Sequence, residues 1–334
     1  MSHCRRTLTS LLAGSALALA GTGLADAATI TLNGASQFDE NHAFTKTMRK
    51  FEELVKQYYQ GPDELEFILH LNSELGLEKD YFAYMSQGIS VDYAVISPSH
   101  MSTFSQMAPL MDMPFLFRDL DHWDKVLDQD GLEPIAEDIA EKADVMVIGY
   151  AGGGTRNLIV DHPVTNMEEL EGLPIRVQGA PIQTRVFEAI GAAPTVIAYS
   201  EIYNAIQTGV IEAAENEAAG IAQMKFYEVG PHISLTQHAI TVRPLCFAGK
   251  TFQRLPEDLQ AAVLKAGEEA GAYGRNIESS EDAEKLAQME KDGLLTTHEF
   301  TERDELLELA EPVKQAYAEE LGALEVYEAI NAIE

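Results

Sequence analysis

The sequence predicts an α/β protein made of two domains. Segments with strand-like and helical patterns alternate along the chain, which favours a mostly parallel sheet flanked by helices. The 334-residue chain is long enough for two domains with separate cores. Helical periodicity from Pro256 to Met289 predicts one helix long enough to span both domains.

The first unit follows a βαβαβ order, in which ligands contact the carboxyl ends of the strands. It is predicted from strands at residues 29–32, 65–70 and 91–96, separated by helices at residues 43–59 and 79–87. Gly152, Gly153 and Gly154 come later in the chain. Three consecutive glycines favour a flexible crossing into a second unit.

The second unit repeats the alternation of strands and helices. It is predicted from strands at residues 175–177, 195–198 and 211–215 and helices at residues 181–190 and 201–208. Ser200 is expected to cap the second of these helices, and Gly191 and Gly209 are expected to end them. A strand at residues 241–248 then returns to the first unit, and Pro256 suits the first turn of the long helix.

The N-terminus is typical of a cleavable secretory signal. A pair of arginines precedes an apolar run at residues 8–24, and the tripeptide Ala25-Asp26-Ala27 has the small-residue pattern of a cleavage site. Residues 1–27 are therefore predicted to be a signal peptide, and the mature protein is predicted to begin near Ala28 in the periplasm. The paired arginines leave both the general secretory route and the twin-arginine route open.

The chain is strongly acidic, with 54 Asp and Glu against 23 Lys and Arg and a formal net charge of −31. Such a surface repels nucleic acid and anionic lipid, which excludes both as partners. A solvated shell in salt, where ions screen the self-repulsion, explains the excess more simply than cation binding does. Any anionic ligand must therefore be held by local positive charge against the field of the whole molecule.

Cysteine chemistry has no predicted role. Cys4 leaves with the signal, so Cys246 is alone in the mature chain and no intrachain disulfide can form. Cys246 lies in the strand-like run at residues 241–248 and is interpreted as a small buried apolar residue.

Arg176 is the first candidate for a ligand contact, because it stands in the middle of a short apolar strand. A guanidinium is costly to bury there unless an anion meets it. Its planar fork matches a carboxylate through two parallel charge-assisted hydrogen bonds. The alternative is a structural ion pair with one of the many acidic residues.

Several spaced motifs resemble those of the solute-binding subunits of tripartite ATP-independent periplasmic (TRAP) transporters, of the DctP type. The matching segments occur in order along the whole mature chain. They are PIRV at 174–177, GAAP at 191–194, SEIYNAIQTG at 200–209 and EN at 215–216, with LG at 75–76, MPFLF at 113–117, GTR at 154–156 and FYEV at 226–229. Glu217 departs from the family pattern, in which proline is usual after the asparagine.

The resemblance implies a two-domain periplasmic binding protein fold with a ligand cleft between the domains and a long domain-spanning helix. It places domain I at residues 28–152 and 242–281, and domain II at residues 153–241 and 282–334. It also implies small and large TRAP membrane permease subunits as partners, no cofactor, and a monomeric protein.

The resemblance also assigns roles to residues of the second domain. In the family the arginine of the first strand motif contacts the ligand carboxylate, and Arg176 occupies that position. Arg156 matches an arginine that makes a second polar contact. Asn216 would face the same cleft with two donors and an acceptor, and Tyr199 would cover the ligand with its ring. A turn-forming role for Asn216 and a core position for Tyr199 are the alternatives.

The first domain is expected to contribute polar residues from its strand ends. These residues are Gln37, Glu40, His42, Asn72, Ser73, Glu74, Ser97 and Ser99. Glu40 and Ser97 are the preferred candidates, and a carboxylate at Glu40 would select a ligand with an amine or several hydroxyls. A solvated charge at the start of a helix is the alternative for Glu40.

Catalytic and metal motifs are not found in the sequence. The histidine spacing matches no metal motif such as HExxH, the glycine triplet lacks the Lys-Ser/Thr of a phosphate loop, and no GxSxG nucleophile elbow occurs. Trp123 is expected to pack on the first domain rather than to stack on a ligand. No catalytic residue, metal or cofactor is predicted.

The predicted function is capture of a small organic acid, such as a simple carboxylate or a sugar or hydroxy acid, and its delivery to a membrane permease. One alternative is the same role with an amine-bearing ligand, an amino alcohol or amino acid. The others are a receptor module for a sensor kinase and a periplasmic enzyme, which turnover of the ligand would reveal.

Overall fold

The structure, a computed structural model, describes residues 29–334, so the predicted signal segment lies outside the described residues. Its strands are β1 (Thr29–Ala35), β2 (Glu64–His70), β3 (Tyr93–Val95), β4 (Val145–Val160), β5 (Pro174–Val177), β6 (Ala193–Val196), β7 (Ala213–Asn216), β8 (His232–Ala248) and β9 (Thr296–Glu299). They form one nine-stranded sheet in the order β2-β1-β3-β8-β4-β7-β5-β6, with β9 beside β8.

The sheet consists of two parallel halves joined by a pair of long strands. β2-β1-β3 form one half and β7-β5-β6 the other. β4 and β8 pair antiparallel between them and belong to both halves. In this register β3 runs along β8 toward its middle, and β7 runs along β4 toward its middle. The carboxyl ends of the two half-sheets therefore meet at the centre of the molecule.

Helices pack on the sheet. They are α1 (Ala43–Tyr58), α2 (Glu78–Gln87), α3 (Leu120–Asp128), α4 (Glu133–Ala143), α5 (Met167–Leu170), α6 (Pro181–Ala189), α7 (Ile202–Gln207), α8 (Ala218–Met224), α9 (Gly249–Phe252), α10 (Glu257–Lys291), α11 (Arg303–Glu320) and α12 (Leu324–Ala332). Helix α1 shows why the pattern predicts them, because Phe44, Met48, Phe51 and Val55 recur at helical spacing and are all buried. No helix of residues 29–334 has the length and apolar character that a membrane span requires.

The predicted long helix is confirmed as α10, which is 35 residues long and begins directly after Pro256. Glycines let its backbone lie against β4. A Cβ atom on Gly271 would come within 2.6 Å of the Tyr150 nitrogen, and one on Gly267 would meet the Ile148 carbonyl. Gly271 is therefore a packing residue of the helix and not a helix breaker.

The expectation of separate cores holds for only part of the interior. One cluster under α1 belongs to the first half, and another beneath α7 and α8 belongs to the second. A third cluster continues through both halves, from Tyr81 and Trp123 to Ile175 and Phe187. Trp123 is buried in this third cluster, and Cys246 is a buried free thiol.

The C-terminal helices contact both halves of the molecule. Helix α11 packs on α6, in the second half. Lys314 on α11 also donates a hydrogen bond to the Phe115 carbonyl at 2.8 Å, and Arg118 donates one to the Asn331 carbonyl at 3.0 Å. Residues 282–334 were expected to pack on the second domain, and the structure adds these contacts with the first.

The sequence predicted a flexible crossing between the two units at the glycine triplet, and the structure places the triplet within regular strand structure. Gly152, Gly153 and Gly154 lie inside β4, and the last two donate backbone hydrogen bonds to Thr241 Oγ1 at 3.0 Å. Gly152 and Gly153 have φ values of 114° and 111°, which L side chains rarely adopt. A Cβ atom on Gly153 would also lie 2.9 Å from Ser279 of α10. The glycines permit a close crossing of β4, β8 and α10.

The start of α7 also differs from its prediction. Ser200 lies within a 3₁₀ turn at Tyr199–Glu201 that leads into the helix, which begins at Ile202. No side chain caps this helix. The short turn replaces the side-chain cap because it already connects the chain to the first helical turn.

Candidate functional site

The carboxyl ends of four parallel strands bring polar side chains together between the two halves. Gln37 follows β1 and Ser97 follows β3, while Gln178 follows β5 and Asn216 ends β7. This is the position that the βαβ order predicts for ligand contacts. The site described below is the cleft between these strand ends.

Arg156, on β4, is surrounded by acidic partners. Its Nε lies 2.5 Å from Glu215 Oε2, its Nη1 lies 2.5 Å from Glu217 Oε2, and its Nη2 donates to the Glu215 carbonyl at 2.9 Å. Burial alone would lower the pKa of Arg156, but the charges of Glu215 and Glu217 outweigh it and raise that pKa. The positive charge of Arg156 is therefore neutralised within the protein.

Arg176, on β5, is much less well compensated. Its Nε donates to the Ile197 carbonyl at 3.0 Å, and the carboxylate nearest to it is Glu215, 3.7 Å from Nη1. The side chain is almost completely buried. Burial lowers the pKa of Arg176 to about 10, because the charge of Glu215 offsets the loss of water only in part. An anion placed here would replace the missing counter-charge.

Arg243, on β8, is a third buried arginine and was missed in the sequence. Its side chain forms no hydrogen bond or ion pair with the described residues, and its Nε is buried without a partner. Its guanidinium lies 5.0 Å from the ring centre of Phe44. The reasoning that singled out Arg176 would also have found it, since Arg243 interrupts the apolar strand at residues 241–248.

Glu215 is the shared counter-ion of this group. It contacts Arg156 and Arg176, and His238 Nε2 lies 3.4 Å from its Oε2. Burial acts against its ionisation, but the charge of Arg156 and the hydrogen bond from His238 hold the pKa of Glu215 far below its ordinary value. Burial also lowers the pKa of His238. The resemblance included Glu215 in a motif without assigning it this role.

Asn216 and Tyr199 lie together beside the arginines. Asn216 Nδ2 donates to the Tyr199 hydroxyl at 3.0 Å, and its Oδ1 accepts from the Glu217 backbone. The Tyr199 ring faces the Arg176 guanidinium at 5.9 Å and Phe38 of the first half at 6.0 Å. The structure thus brings both residues to the predicted cleft, and Asn216 also makes the turn contact that was considered as its alternative.

Ser97 lies where the two halves touch. Its Oγ is 2.8 Å from Asp112 Oδ2 and 2.9 Å from the side-chain oxygen of Gln178, across the cleft. Ser99 adds a hydroxyl hydrogen bond to Asp112 at 2.9 Å. Burial raises the pKa of Asp112, although Arg243 and the two serines oppose this effect. Ser97 is brought to the cleft as predicted.

Glu78 is a further buried acid of the first half and was not a sequence candidate. It accepts from the Ser97 backbone at 2.6 Å and from Gln37 at 3.2 Å, and His100 lies 3.0 Å away. Burial would raise the pKa of Glu78, but the hydrogen bond and charge of His100 outweigh this effect and lower it. The amide oxygen of Gln37, Oε1, is buried without a partner.

Glu40 is not brought into the cleft with the other predicted residues. Its carboxylate is exposed and pairs with Arg49 of α1 at 3.0 Å. The physical reason is that Arg49 provides a surface counter-ion nearby, whereas a buried Glu40 would need a further cation inside. Gln37, three residues earlier in the same loop, lines the cleft instead.

The cleft contains little open space. Its mouth holds a pocket of about 140 Å³, lined in part by Gln37, Lys79, Arg176 and Tyr199. The inner pocket among the three arginines, Asn216 and Glu217 has about 20 Å³, room for about one water molecule and not for a sugar ring. A larger open groove of about 320 Å³ between α3 and α10 is not the candidate site, because its Arg275 already pairs with Asp128 at 3.1 Å.

Potential metal ligands cluster at the end of β4 and not in the cleft. Asp161, His162 and Glu212 have ligand atoms within 4.8 Å of one another. Asp161 and His162 are exposed, and exposed acidic groups of this kind are common without a metal. Within residues 29–334 this is the group that could hold an ion, and the cleft itself offers arginines, which repel one.

The chain matches a family model over most of its length. The model is that of bacterial extracellular solute-binding protein family 7, DctP, and it covers residues 34–321. A solute-binding protein of Sulfitobacter sp. strain NAS-14.1 is 55% identical over 323 residues, which are 96% of this chain and 97% of the relative.

Solved structures resemble the fold closely. A TRAP periplasmic solute-binding protein from Sulfitobacter sp. NAS-14.1 with bound α-D-taluronate is 57% identical, with a TM-score of 0.88, over 90% of this chain and 97% of that one. A second TRAP periplasmic solute-binding protein, from Roseobacter denitrificans OCh 114 with bound L-galactonate, is 30% identical to this chain. Its TM-score is 0.82, and the match covers 92% of this chain and 99% of that one. Both are similar to this chain along nearly their whole length.

Proposed function

Because the chain belongs to the DctP family of extracellular solute-binding proteins of TRAP transporters, we propose that its ligand is a sugar acid with one carboxylate, a hexuronate before others. The family's members are transport proteins that bind a solute, not enzymes. The observation that carries the proposal is the pair of buried arginines, Arg176 and Arg243, that lack full counter-charges inside the cleft.

The carboxylate of the ligand would bind these two arginines. A buried guanidinium binds a carboxylate through charge-assisted, often bidentate hydrogen bonds. Arg176 has one weakly placed acid, at 3.7 Å, and Arg243 has no hydrogen-bond partner among the described residues. Arg156 is already neutralised by two glutamates. Local charge of this kind is what an anion needs on a molecule of net charge −31.

The remainder of the ligand would meet amides, hydroxyls and an aromatic ring. Gln37, Gln178, Asn216 and the Tyr199 hydroxyl present donors and acceptors around the inner pocket. Such groups suit a ring with several hydroxyls better than a short apolar acid. Relatives with bound α-D-taluronate and L-galactonate are sugar-acid binders of the same fold, which supports the proposed ligand class.

An amine-bearing ligand is the weaker candidate. The acids that could bind an ammonium in the first half are Glu78 and Asp112. Glu78 already accepts hydrogen bonds from Ser97 and Gln37. Asp112 accepts from Ser99 and contacts Ser97. Neither acid needs a ligand cation for its charge, whereas Arg176 and Arg243 lack an anion.

The cellular setting follows from the family and the signal-like N-terminus. We infer that the mature protein begins near Ala28, is periplasmic, and delivers its ligand to small and large TRAP permease subunits. N-terminal sequencing of exported protein tests the first part. A retained Met1, or recovery of the protein only with membranes, would contradict it.

The ligand is tested by calorimetry with the purified mature protein. The panel contains D-taluronate, D-glucuronate, D-galacturonate, L-galactonate, succinate and an amino acid such as glutamate. We expect a hexuronate to bind most tightly, and at one hundred times its Kd to stabilise the fold by about 2.7 kcal/mol. The ligand should be recovered unchanged. Binding of succinate or the amino acid in preference to every sugar acid would overturn the proposal.

The anchor is tested with Arg176→Lys. A lysine keeps the charge but not the fork, so we expect hexuronate binding to weaken by roughly 2–5 kcal/mol. Arg185→Lys is the matched control, because Arg185 forms an exposed pair with Glu320 and should bind as the wild type does. Near wild-type affinity of a folded Arg176→Lys protein would place the carboxylate elsewhere.

A further inference from the structure

Glu217 is a buried acid that faces the inner pocket. It is 1% exposed and stands directly before α8, yet its side chain does not cap that helix. The Ala218 backbone N–H is instead bonded to Asp282 Oδ1 at 2.9 Å. The Glu217 carboxylate is therefore not used for helix capping, and it lines the same pocket as Arg176, Asn216 and Arg243.

One oxygen of this carboxylate is occupied and the other is not. Oε2 lies 2.5 Å from Arg156 Nη1. Oε1 receives no hydrogen bond from the described residues. A buried carboxylate oxygen can accept about two hydrogen bonds, so Oε1 has capacity for donors that the protein does not supply.

The surroundings make this position costly for an acid. Glu278 and Asp282, both buried, lie close enough for their charges to interact with Glu217. Burial, and then the charge of Glu217, raise the pKa of Glu278 to about 8. A glutamate kept among like charges, with one oxygen that receives no hydrogen bond from residues 29–334, in a pocket that Arg243 also lines, is better explained by a ligand than by stability.

We propose that Glu217 Oε1 accepts hydrogen bonds from the hydroxyl groups of the bound sugar acid and so distinguishes hydroxylated acids from plain ones, with Arg156 holding Oε2. This inference rests on the proposed function, because it concerns the same cleft. A carboxylate only accepts, so it matches the hydroxyls that a sugar donates and repels a second carboxylate. The arginines select the acid end of the ligand, and Glu217 selects its hydroxyl end.

The test compares two ligands that share a ring and a carboxylate. D-Glucuronate, or the panel hexuronate that the wild type binds most tightly, carries the hydroxyls. Tetrahydropyran-2-carboxylate has the ring oxygen and the carboxylate without hydroxyls, and its affinity is measured by competition. Glu217→Gln keeps the shape and removes the charge, and Glu212→Gln is the control for loss of one acid outside the cleft.

We expect Glu217→Gln to weaken hexuronate binding by about 10- to 100-fold, the range for hydrogen bonds to a charged group. The affinity for tetrahydropyran-2-carboxylate should change by less than about twofold, so that the ratio between the two ligands falls. Glu217→Asp, which keeps the charge but withdraws the oxygen, should also weaken the hexuronate selectively. This second variant covers the case in which the glutamine variant does not fold.

Three results would overturn the assignment. Unchanged hexuronate affinity in Glu217→Gln would show that Oε1 is not used. Equal losses for both ligands would show that Glu217 only supports the fold of the cleft. If the wild type preferred an amino acid and the variant lost this preference, Glu217 would be binding an ammonium group instead. If the wild type binds no sugar acid at all, the proposed function fails first, and this is seen before any variant is made.

Discussion

Arg156 and Arg176 lie in the same cleft but have different electrostatic surroundings. Arg156 is paired with Glu215 and Glu217, whereas Arg176 relies on Glu215 at 3.7 Å and one carbonyl. Removal of one member of a buried ion pair leaves the other charge unpaired, which costs more than the pair itself contributes. The two arginines should therefore differ in their effect on stability.

Arg156→Ala is expected to lower the free energy of unfolding by about 3–5 kcal/mol without ligand, because two buried carboxylates lose their cation. The pKa of Glu215 is lowered in the folded protein, so its stabilising contribution is present above its unfolded pKa and is lost as pH falls. The deficit of the variant should therefore shrink toward pH 4. Urea unfolding at pH 7 and pH 4 measures the loss of stability in the variant and its decrease at low pH.

Arg176→Ala is the comparison variant for this experiment. It removes a buried charge that is poorly compensated, so its loss of stability should be clearly smaller than that of Arg156→Ala. Equal losses in the two variants would contradict the assignment of Arg156 to structure and of Arg176 to ligand binding.

The residues of the cleft were predictable from the sequence to different degrees. Arg176 could be found because a guanidinium in a short apolar strand needs an anion, and Ser97 because it follows a strand. Glu40 was placed in the cleft from its loop position alone, and the sequence does not show that Arg49 pairs with it on the surface. Glu78 reaches the cleft through long-range contacts that spacing does not encode, whereas Arg243 interrupts an apolar strand as Arg176 does.

At the scale of elements, β4, β8 and α10 cross closely beside the site. Thr241 Oγ1 accepts from Gly153 and Gly154 and donates to Glu278 of α10 at 3.2 Å. Glu278 Oε2 is buried without a partner. A protonated carboxyl would suit this position better than a carboxylate.

Glu278→Gln should change the pH dependence of stability. Burial and Glu217 raise the pKa of Glu278 to about 8, although Arg243 opposes them. Between its unfolded pKa, near 4.5, and pH 8 the folded protein holds a proton that the unfolded chain releases. The free energy of unfolding therefore falls as pH rises through this window.

We expect Glu278→Gln to remove part of that slope, on the order of 1–3 kcal/mol between pH 5 and pH 8. Relative to the wild type, the variant should gain stability at pH 8. Asp282, whose pKa burial raises to about 6, leaves a smaller slope of the same sign. Chemical denaturation at four pH values gives the free energy of unfolding of each protein as a function of pH. Parallel plots of this free energy against pH for the variant and the wild type would contradict the prediction.

The elements themselves were largely predictable, and their junctions were not. The long helix and most strands follow from apolar periodicity, which is a local property. The glycine triplet was interpreted as a flexible crossing because composition alone cannot distinguish a free segment from a backbone that other backbone atoms approach. The difference lies in Thr241 and Ser279, which are distant in the sequence.

At the scale of the whole molecule, the two halves touch across the cleft. Ser97 meets Gln178, and Ser102 donates to the Gly179 carbonyl at 3.3 Å. An inner pocket of about 20 Å³ is too small for a sugar. The halves must therefore separate before a ligand can reach Arg176 and Arg243.

Small-angle scattering should detect this separation. We expect the unliganded protein to have a larger radius of gyration than the protein saturated with a hexuronate, because a ligand that contacts both halves stabilises the closed state. Ser97→Phe, which adds bulk where the halves meet, should keep the fold but bind more weakly and remain extended with ligand. An unchanged radius on saturation, or unaltered affinity of Ser97→Phe, would contradict this account.

The strand order also determines when the chain can fold. β3 obtains its second neighbour from β8, about 150 residues further along the chain, and β4 obtains both neighbours only after β7 and β8 have been made. Non-local pairing of this kind slows folding. A nascent chain that ends before residue 232 carries unpaired edges on β3 and β4, which are sites for aggregation. Neither half can therefore mature first during synthesis, and the protein becomes fold-competent only when most of it has been translated.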